Sequence, residues 1–312
     1  MKILITGALG HIGSKLIQSL KPGSYEEVCL IDNISTQRYS SLFNLSENIP
    51  FKFYEEDICH VNLDKYFQGI DVVIHLAAVT DAASSFDKPE QVEMVNYNGT
   101  EKIAMACLRN GCKLVFPSTT SVYGTQDDVV DENCTDDELK PQSPYAQSKL
   151  KAEKLLQQLG SNDNLKFVIC RFGTIFGTSN GMRFHTAVNK FVWQACLGQP
   201  LTIWKTALNQ KRPYLDVGDA ARSILFTIEN KLFMNEIYNI VTVNATVKEI
   251  IQIINQEILS IKVEYVDSKI MNQLSYTVLS DKIKKAGFTF QGKLEDGVLE
   301  TIKLLNGIRT QQ

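Results

Sequence analysis

Residues 2–20 read KILITGALGHIGSKLIQSL. Lys2 to Thr6 is a short β-rich apolar run, and Ile12 to Leu20 spaces its apolar residues as a helix does. Between them stand Gly7, Gly10 and Gly13. Glycine at a strand-to-helix turn permits a tight bend, close approach of backbone to a diphosphate, and tight packing of helix on strand. The helix N-terminus then offers free N–H groups and the positive end of its dipole to phosphate. The spacing is G-x-x-G-x-x-G, with Ala8 where the older G-x-G-x-x-G fingerprint has its second glycine. Gly7, Gly10, His11, Ile12 and Gly13 are the expected contacts of a bound dinucleotide. Asp32 ends the next apolar run (CLID), close to the ~20 residues expected between such glycines and a ribose-binding acid. A carboxylate there accepts from both ribose hydroxyls and repels a 2′-phosphate, so NAD is favoured over NADP. Arg38, the residue able to serve a 2′-phosphate, stands well beyond the strand end.

The same alternation continues outward. Strands are predicted at 51–55, 71–75, 113–116 and 166–170, with helices at about 96–109, stopped by Gly111, and 145–159. Strands separated by crossover helices indicate an α/β fold of the Rossmann type, a doubly wound parallel sheet with helices on both faces. Beyond Arg171 the pattern loosens. A helix at 187–196 and a strand at 201–204 are followed by a strand at 214–217 and a helix capped by Asp219. A strand at 236–241 is expected to return to the main sheet. Thr246 and Glu249 form a capping box, and two more helices start near Ser280 and Leu294. The predicted organisation is a nucleotide-binding domain over 1–170, with 214–241 returning to it, and a smaller C-terminal α/β substrate lobe over 171–312.

Chemistry concentrates in two segments, PSTTSVYG (117–124) and SPYAQSK (143–149). Tyr145 and Lys149 share a helix face at i and i+4. A lysine ammonium beside a phenol stabilises phenolate and makes Tyr145 a usable general base near neutral pH. Lys149 is also placed to hold the nicotinamide ribose, and Thr119 to offer its hydroxyl to the same substrate oxygen. The reaction this suits is hydride exchange between a sugar carbinol and NAD.

The chain has 312 residues and a net charge of −3, with no basic block to attract nucleic acid. Its apolar runs are far shorter than a membrane span requires. The N-terminus runs directly into a strand without a signal peptide's pattern, so a cytoplasmic location is expected. Seven cysteines without a C-x-x-C read as buried, reduced thiols. The four histidines, at 11, 60, 75 and 185, form no metal cluster in sequence.

With these segments in hand, the chain resembles the extended short-chain dehydrogenase/reductases, specifically the NAD-dependent epimerase/dehydratase family, over nearly its whole length. LIDNIS resembles the family's adenosine-ribose segment, which implies Asp32 and Asn33 as contacts. Asp57 and Ile58 match the pair that flanks adenine. HLAA (75–78) matches the strand end that passes the cofactor's diphosphate and ribose, implying Leu76, Ala77 and Ala78. Pro89 and Asn96 match the family's P…N-x-x-GT-like stretch, Thr119 takes the catalytic Ser/Thr place, and Ser118 is implied beside the nicotinamide. In the second half, Asn189, the LTIW strand (201–204) and Arg212 match positions that hold the nucleotide diphosphate, and Thr174 replaces a substrate-facing asparagine. The implied substrate is a nucleotide-diphosphate sugar. The implied assembly is a homodimer through the helices near Asn96 and Tyr145, with Ala104, Leu108, Leu150 and Leu155 as apolar candidates.

Departures narrow the chemistry. Dehydratases of this family carry an Asp-Glu pair directly after the catalytic threonine. Thr120 and Ser121 stand there, which disfavours elimination of water. The usual second phosphate arginine is missing, with Lys269 as its substitute, and Arg183 lies in a segment (177–184) unlike that of a UDP-hexose 4-epimerase. The favoured reading is an NAD-dependent nucleotide-sugar epimerase that transiently oxidises a carbinol, at C4. The alternatives are a nucleotide-sugar dehydrogenase or ketoreductase with exchangeable cofactor, and a non-catalytic NAD sensor.

Overall fold

The computed structural model describes residues 1–124, 129–259, 261–267, 275–305 and 307. In chain order its strands are β1 (Lys2–Thr6), β2 (Glu27–Asp32), β3 (Phe51–Glu55), β4 (Val72–His75), β5 (Lys113–Thr119), β6 (Val129–Val130), β7 (Phe167–Phe172), β8 (Thr174–Phe176), β9 (Leu201–Trp204), β10 (Lys211–Asp216), β11 (Glu236–Ile240), β12 (Val243–Thr246), β13 (Val263–Val266) and β14 (Thr277–Val278). Its α-helices are α1 (His11–Ser19), α2 (Asp64–Phe67), α3 (Pro89–Glu93), α4 (Gly99–Asn110), α5 (Pro144–Asp163), α6 (Ala187–Cys196), α7 (Val217–Glu229), α8 (Val247–Glu257), α9 (Asp281–Lys285) and α10 (Leu294–Leu305).

Seven strands form one wholly parallel sheet in the order β11-β7-β5-β4-β1-β2-β3. Side chains alternate across it. Ile3, Ile5, Val28, Leu30 and Ile74 face α1 and α7, whereas Leu4, Ile31, Val73, Leu114 and Phe116 face α4 and α5. Both faces are apolar, as a parallel sheet covered on both sides requires. The strand order reverses between β1 and β4, and the crevice at their C-terminal ends is where an open α/β sheet binds its ligand.

The C-terminal elements gather around a separate core of Phe176, Val192, Ile203, Tyr214, Ile250 and Val298. Strand β11 joins the main sheet beside β7, as expected from the sequence. The strand expected at 214–217 starts earlier, at Lys211, and pairs with β8 and β12 instead of the main sheet. The cap of α7 is Asp216, whose side chain accepts from the Asp219 N–H at 3.0 Å, and not Asp219. Asp219 is fully buried inside the first turn and accepts from the backbone N–H groups of Gln291 and Gly292 at 2.9 and 3.0 Å. The capping box of Thr246 and Glu249 is present. The helix expected at 96–109 begins at Pro89 and passes through a π-turn at 94–98 before α4.

Candidate active site

The β1–α1 turn does what its glycines anticipated. Gly7 lies in the left-handed region at φ +64, and a Cβ there would sit 2.5 Å from the Ala77 backbone nitrogen. The turn therefore presses against the chain leaving β4, which only glycine allows. The Leu9 N–H donates to Asp32 Oδ2 at 3.0 Å and the Ile34 N–H to Oδ1 at 2.9 Å, so the acid is aimed by the loop it serves. Asn33 donates to Asp57 at 3.1 Å, joining the ends of β2 and β3. His75 is fully buried between Thr6 (2.7 Å) and Thr100 (3.1 Å), and burial lowers its imidazole to about 3. It is a neutral strut under the HLAA segment.

A cavity of about 630 Å³ opens over this turn and runs across the sheet ends into the C-terminal core. Of the described residues expected to touch cofactor or substrate, all but Asn96 and Asn189 line it: Gly7, Gly10, His11, Ile12, Gly13, Asp32, Asn33, Asp57, Ile58, Leu76, Ala77, Ala78, Ser118, Thr119, Tyr145, Lys149, Thr174 and Arg212. The two asparagines are corrections. Asn96 accepts from the Val79 N–H at 2.8 Å and donates to the Val79 carbonyl at 2.9 Å and to Ser148 at 3.1 Å. Asn189 accepts from the Gly177 N–H at 3.3 Å and donates to the Gly177 and Arg183 carbonyls at 3.3 and 3.0 Å. Both amides are buried and committed to backbone, so they shape loops at the cavity instead of facing a ligand. Lys269 lies outside the described residues.

Tyr145 opens α5, whose cap Ser143 accepts from the Ala146 N–H at 3.2 Å. Burial raises its phenol above the ordinary value, opposed by a hydrogen bond with Thr119 and then by the charge of Arg183. The sequence put the Lys149 ammonium in that role. Lys149 instead turns inward, donating to the Pro117 carbonyl at 2.9 Å and lying 4.5 Å over the Phe116 ring. Burial pulls it down to about 8, while Glu153 supports its charge. Ser118 donates to Glu153, which occupies its hydroxyl hydrogen. The Thr119 hydroxyl accepts from the Ser121 N–H at 3.1 Å, and Ser121 joins the cavity wall where a dehydratase carries a carboxyl group.

From its segment alone, Arg183 could reach substrate or lie on the surface. It lines the cavity, its guanidinium is lowered to about 10 by burial and then by Arg38, and its Nε has no hydrogen-bond partner among the described residues. His11 Nε2 and Thr80 Oγ1, also on the wall, are likewise buried without partners. A cradle that only glycine leaves open, a ribose-directed acid and orphaned polar atoms on the wall fit a dinucleotide with its phosphates. Lys190 and Phe191 line the far end together with Trp204, the last residue of the LTIW strand that the resemblance had marked.

Residues 3–241 match the family described as the NAD dependent epimerase/dehydratase family. The chain belongs to that family. It is 32% identical over 249 residues to a Bacillus subtilis (strain 168) protein described as an uncharacterized UDP-glucose epimerase, YtcB, covering 77% of this chain and 76% of that one. It is 28% identical to an Arabidopsis thaliana trifunctional UDP-glucose 4,6-dehydratase/3,5-epimerase/reductase; 96% of this chain spans about half, 46%, of that protein. Among solved structures it is similar to a UDP-glucuronic acid 4-epimerase from Bacillus cereus in complex with UDP-glucuronic acid and NAD. The TM-score is 0.90 and the identity 28%, with 98% of this chain and 99% of that chain covered. As a member of this NAD-dependent family, the chain places its intact Thr, Tyr and Lys in one cavity with the dinucleotide turn.

Proposed function

We propose that this protein is an NAD-dependent 4-epimerase of a UDP-sugar, and that the sugar is a uronate such as UDP-glucuronic acid. Arg183 carries the reading. A buried guanidinium beside Tyr145, its Nε without a hydrogen-bond partner among the described residues and only Asp81 acting on it as a carboxylate, has room for a further anion, and a carboxylate on the sugar ring supplies one in bidentate geometry. The structural similarity to an enzyme of that specificity supports it.

The residues divide the work as follows. Gly7, Gly10 and Gly13 cradle the cofactor's diphosphate, and Asp32 receives the adenosine ribose. Lys149, on the cavity wall with its ammonium at the Pro117 carbonyl, would turn to the nicotinamide ribose when the cofactor is bound. Bound NAD supplies the acceptor, and later the donor, of the hydride at sugar C4. In its phenolate form, which the Thr119 hydrogen bond favours against burial, Tyr145 takes the C4 hydroxyl proton as the C4–H bond breaks, and returns it when the ketone is reduced on its other face. Thr119 holds the reacting oxygen. Arg212 and Lys190 approach the nucleotide diphosphate, and Arg183 with Thr174 and Ser121 receives the sugar substituents. Elimination of water is disfavoured by the hydroxyls at 120 and 121.

We also propose a homodimer. Ala104 is fully buried against the sheet and Leu150 lies in a local core, so neither serves a copy of the chain. Met94 and Met105 are exposed, at 49% and 40%, on the helical stretch that contains Leu108, and support the contact. Light scattering that returned only monomer would contradict it. The cytoplasmic location expected from the sequence stays part of this proposal.

The test of specificity is turnover of UDP-glucuronic acid against UDP-glucose in wild-type protein and Arg183→Gln. The expected result is a loss confined to the uronate. An equal loss on both sugars, with weaker NAD binding, would make Arg183 a ligand of the cofactor's phosphates instead.

A further inference from the structure

Among the described ion pairs, only Glu153–Arg171 has both partners under a tenth exposed, at 1% and 3%. Arg171 Nη2 donates to Glu153 Oε2 at 2.7 Å, and its Nε donates to the two carboxylate oxygens at 3.1 and 3.2 Å. Burying two charges commonly costs as much as their attraction returns, and apolar residues would pack helix on sheet equally well. The position of the pair is informative. Ser118 and Arg171 are register partners on β5 and β7, so they project from one face of the sheet towards α5. Glu153 stands one turn beyond Lys149 on that helix, and its carboxylate also takes the Ser118 hydroxyl hydrogen.

Lys149 is fully buried with one carbonyl acceptor, that of Pro117. The titratable and charged groups around it are Glu153 and Tyr145 on its own helix, His75 from β4, and Arg171 from β7 behind Glu153. His75 is neutral, Tyr145 is a protonated phenol, and the Arg171 charge is directed at Glu153. Glu153 is the anion that remains.

We propose that Glu153, clamped by Arg171 and Ser118, is a positioning residue that keeps the Lys149 side chain an ammonium aimed at the cofactor side of the cavity. This rests on the reading of Lys149 as the cofactor-side lysine. Burial pulls Lys149 down to about 8 even with Glu153 present. With Glu153 neutral, the ammonium gives up its proton at lower pH, so any property that needs the charge fails at lower pH. Loss of Arg171 acts in the same direction, because an unpaired buried carboxylate takes up a proton.

The test uses Glu153→Gln and Glu153→Gln/Arg171→Met. The NAD dissociation constant of stripped protein and kcat/KM are measured across about pH 6 to 9. Both variants are expected to move the alkaline limb of both profiles towards acid by about one unit or more, with the sugar KM unchanged. The double variant removes both charges together, a change that buried pairs usually survive, and it carries the test where the single variant does not fold. Glu153→Asp keeps both charges, and a smaller shift in the same direction is expected of it. A folded variant without the carboxylate that kept the wild-type limb would make the pair purely structural and overturn the proposal. Failure of the underlying reading looks different: Lys149→Met would then keep both turnover and NAD affinity.

Discussion

Lys149 is wholly buried against Phe116 and Pro117, and burial lowers its ammonium from an ordinary value of 10.5 to about 8. Between those two values the unfolded chain binds more protons than the folded one, so stability rises with pH there. Below about 8 the cost of keeping the charge inside is constant, about 3 kcal/mol at most. Lys149→Met is therefore expected to raise Tm at pH 7 while abolishing turnover, with the gain fading by about pH 10.5. A Tm at or below wild type at pH 7 would contradict this. Tyr145→Phe is expected to lower kcat by about 10²–10⁴-fold and leave NAD bound, as measured by release on denaturation. The glycine turn, the Asp32 strand end and the helix shared by Tyr145 and Lys149 were legible because local spacing fixes them; that Lys149 turns to the Pro117 carbonyl and not to the phenol was not. Asn96 and Asn189 were not read correctly, and Arg183 stayed open between substrate and surface. What an arginine or an amide does depends on which backbone or cavity the fold brings to it, and Asn96 meets Val79 across 17 residues.

The catalytic helix is held at its start. Ser143 caps α5 and Pro144 occupies its first turn, two residues before the helix delivers Ala146 and immediately before Tyr145. The segment from β4 is held by Asn96 on the neighbouring π-turn, a geometry often found at functional sites. Asn96→Leu would leave the Val79 N–H and carbonyl without their side-chain partner, at about 1–3 kcal/mol for each buried group. The expected outcome is a lower Tm together with weaker NAD binding, read by titration of stripped protein; unchanged NAD affinity would show that the clamp does not shape the site. Element identity was legible where caps and periodicity agree, as at Thr246. It failed where a π-turn broke the helical period before α4, and where two acids, Asp216 and Asp219, stood in competition for one cap.

Across the whole molecule, the strap at 177–183 stitches the C-terminal elements to the dinucleotide turn. Ser179 hydrogen-bonds His11 at 2.7 Å, and the Gly181 N–H donates to Ser14 at 2.8 Å. A Cβ on Gly181 would lie 2.4 Å from the Leu9 carbonyl oxygen. Gly181→Val is expected to lift the strap and speed NAD release, which stopped-flow dissociation measures directly; an unchanged rate would mean that the strap does not retain the cofactor. These contacts join residues 167 and 168 apart and leave no trace in local sequence pattern. The parallel sheet was legible, since each strand and crossover helix is a local pattern. The lacing of the two halves was not. It is this lacing that brings Arg183 to the chemistry, in a cavity that oxidises and re-reduces one sugar carbon without releasing the electrons. The most direct measurement is incubation of the purified protein with UDP-glucuronic acid deuterated at C4, following sugar products and NADH absorbance together. The expected result is the C4 epimer, still deuterated at C4, with no net NADH. Accumulation of NADH and a keto-sugar, or loss of the deuterium to solvent, would contradict it.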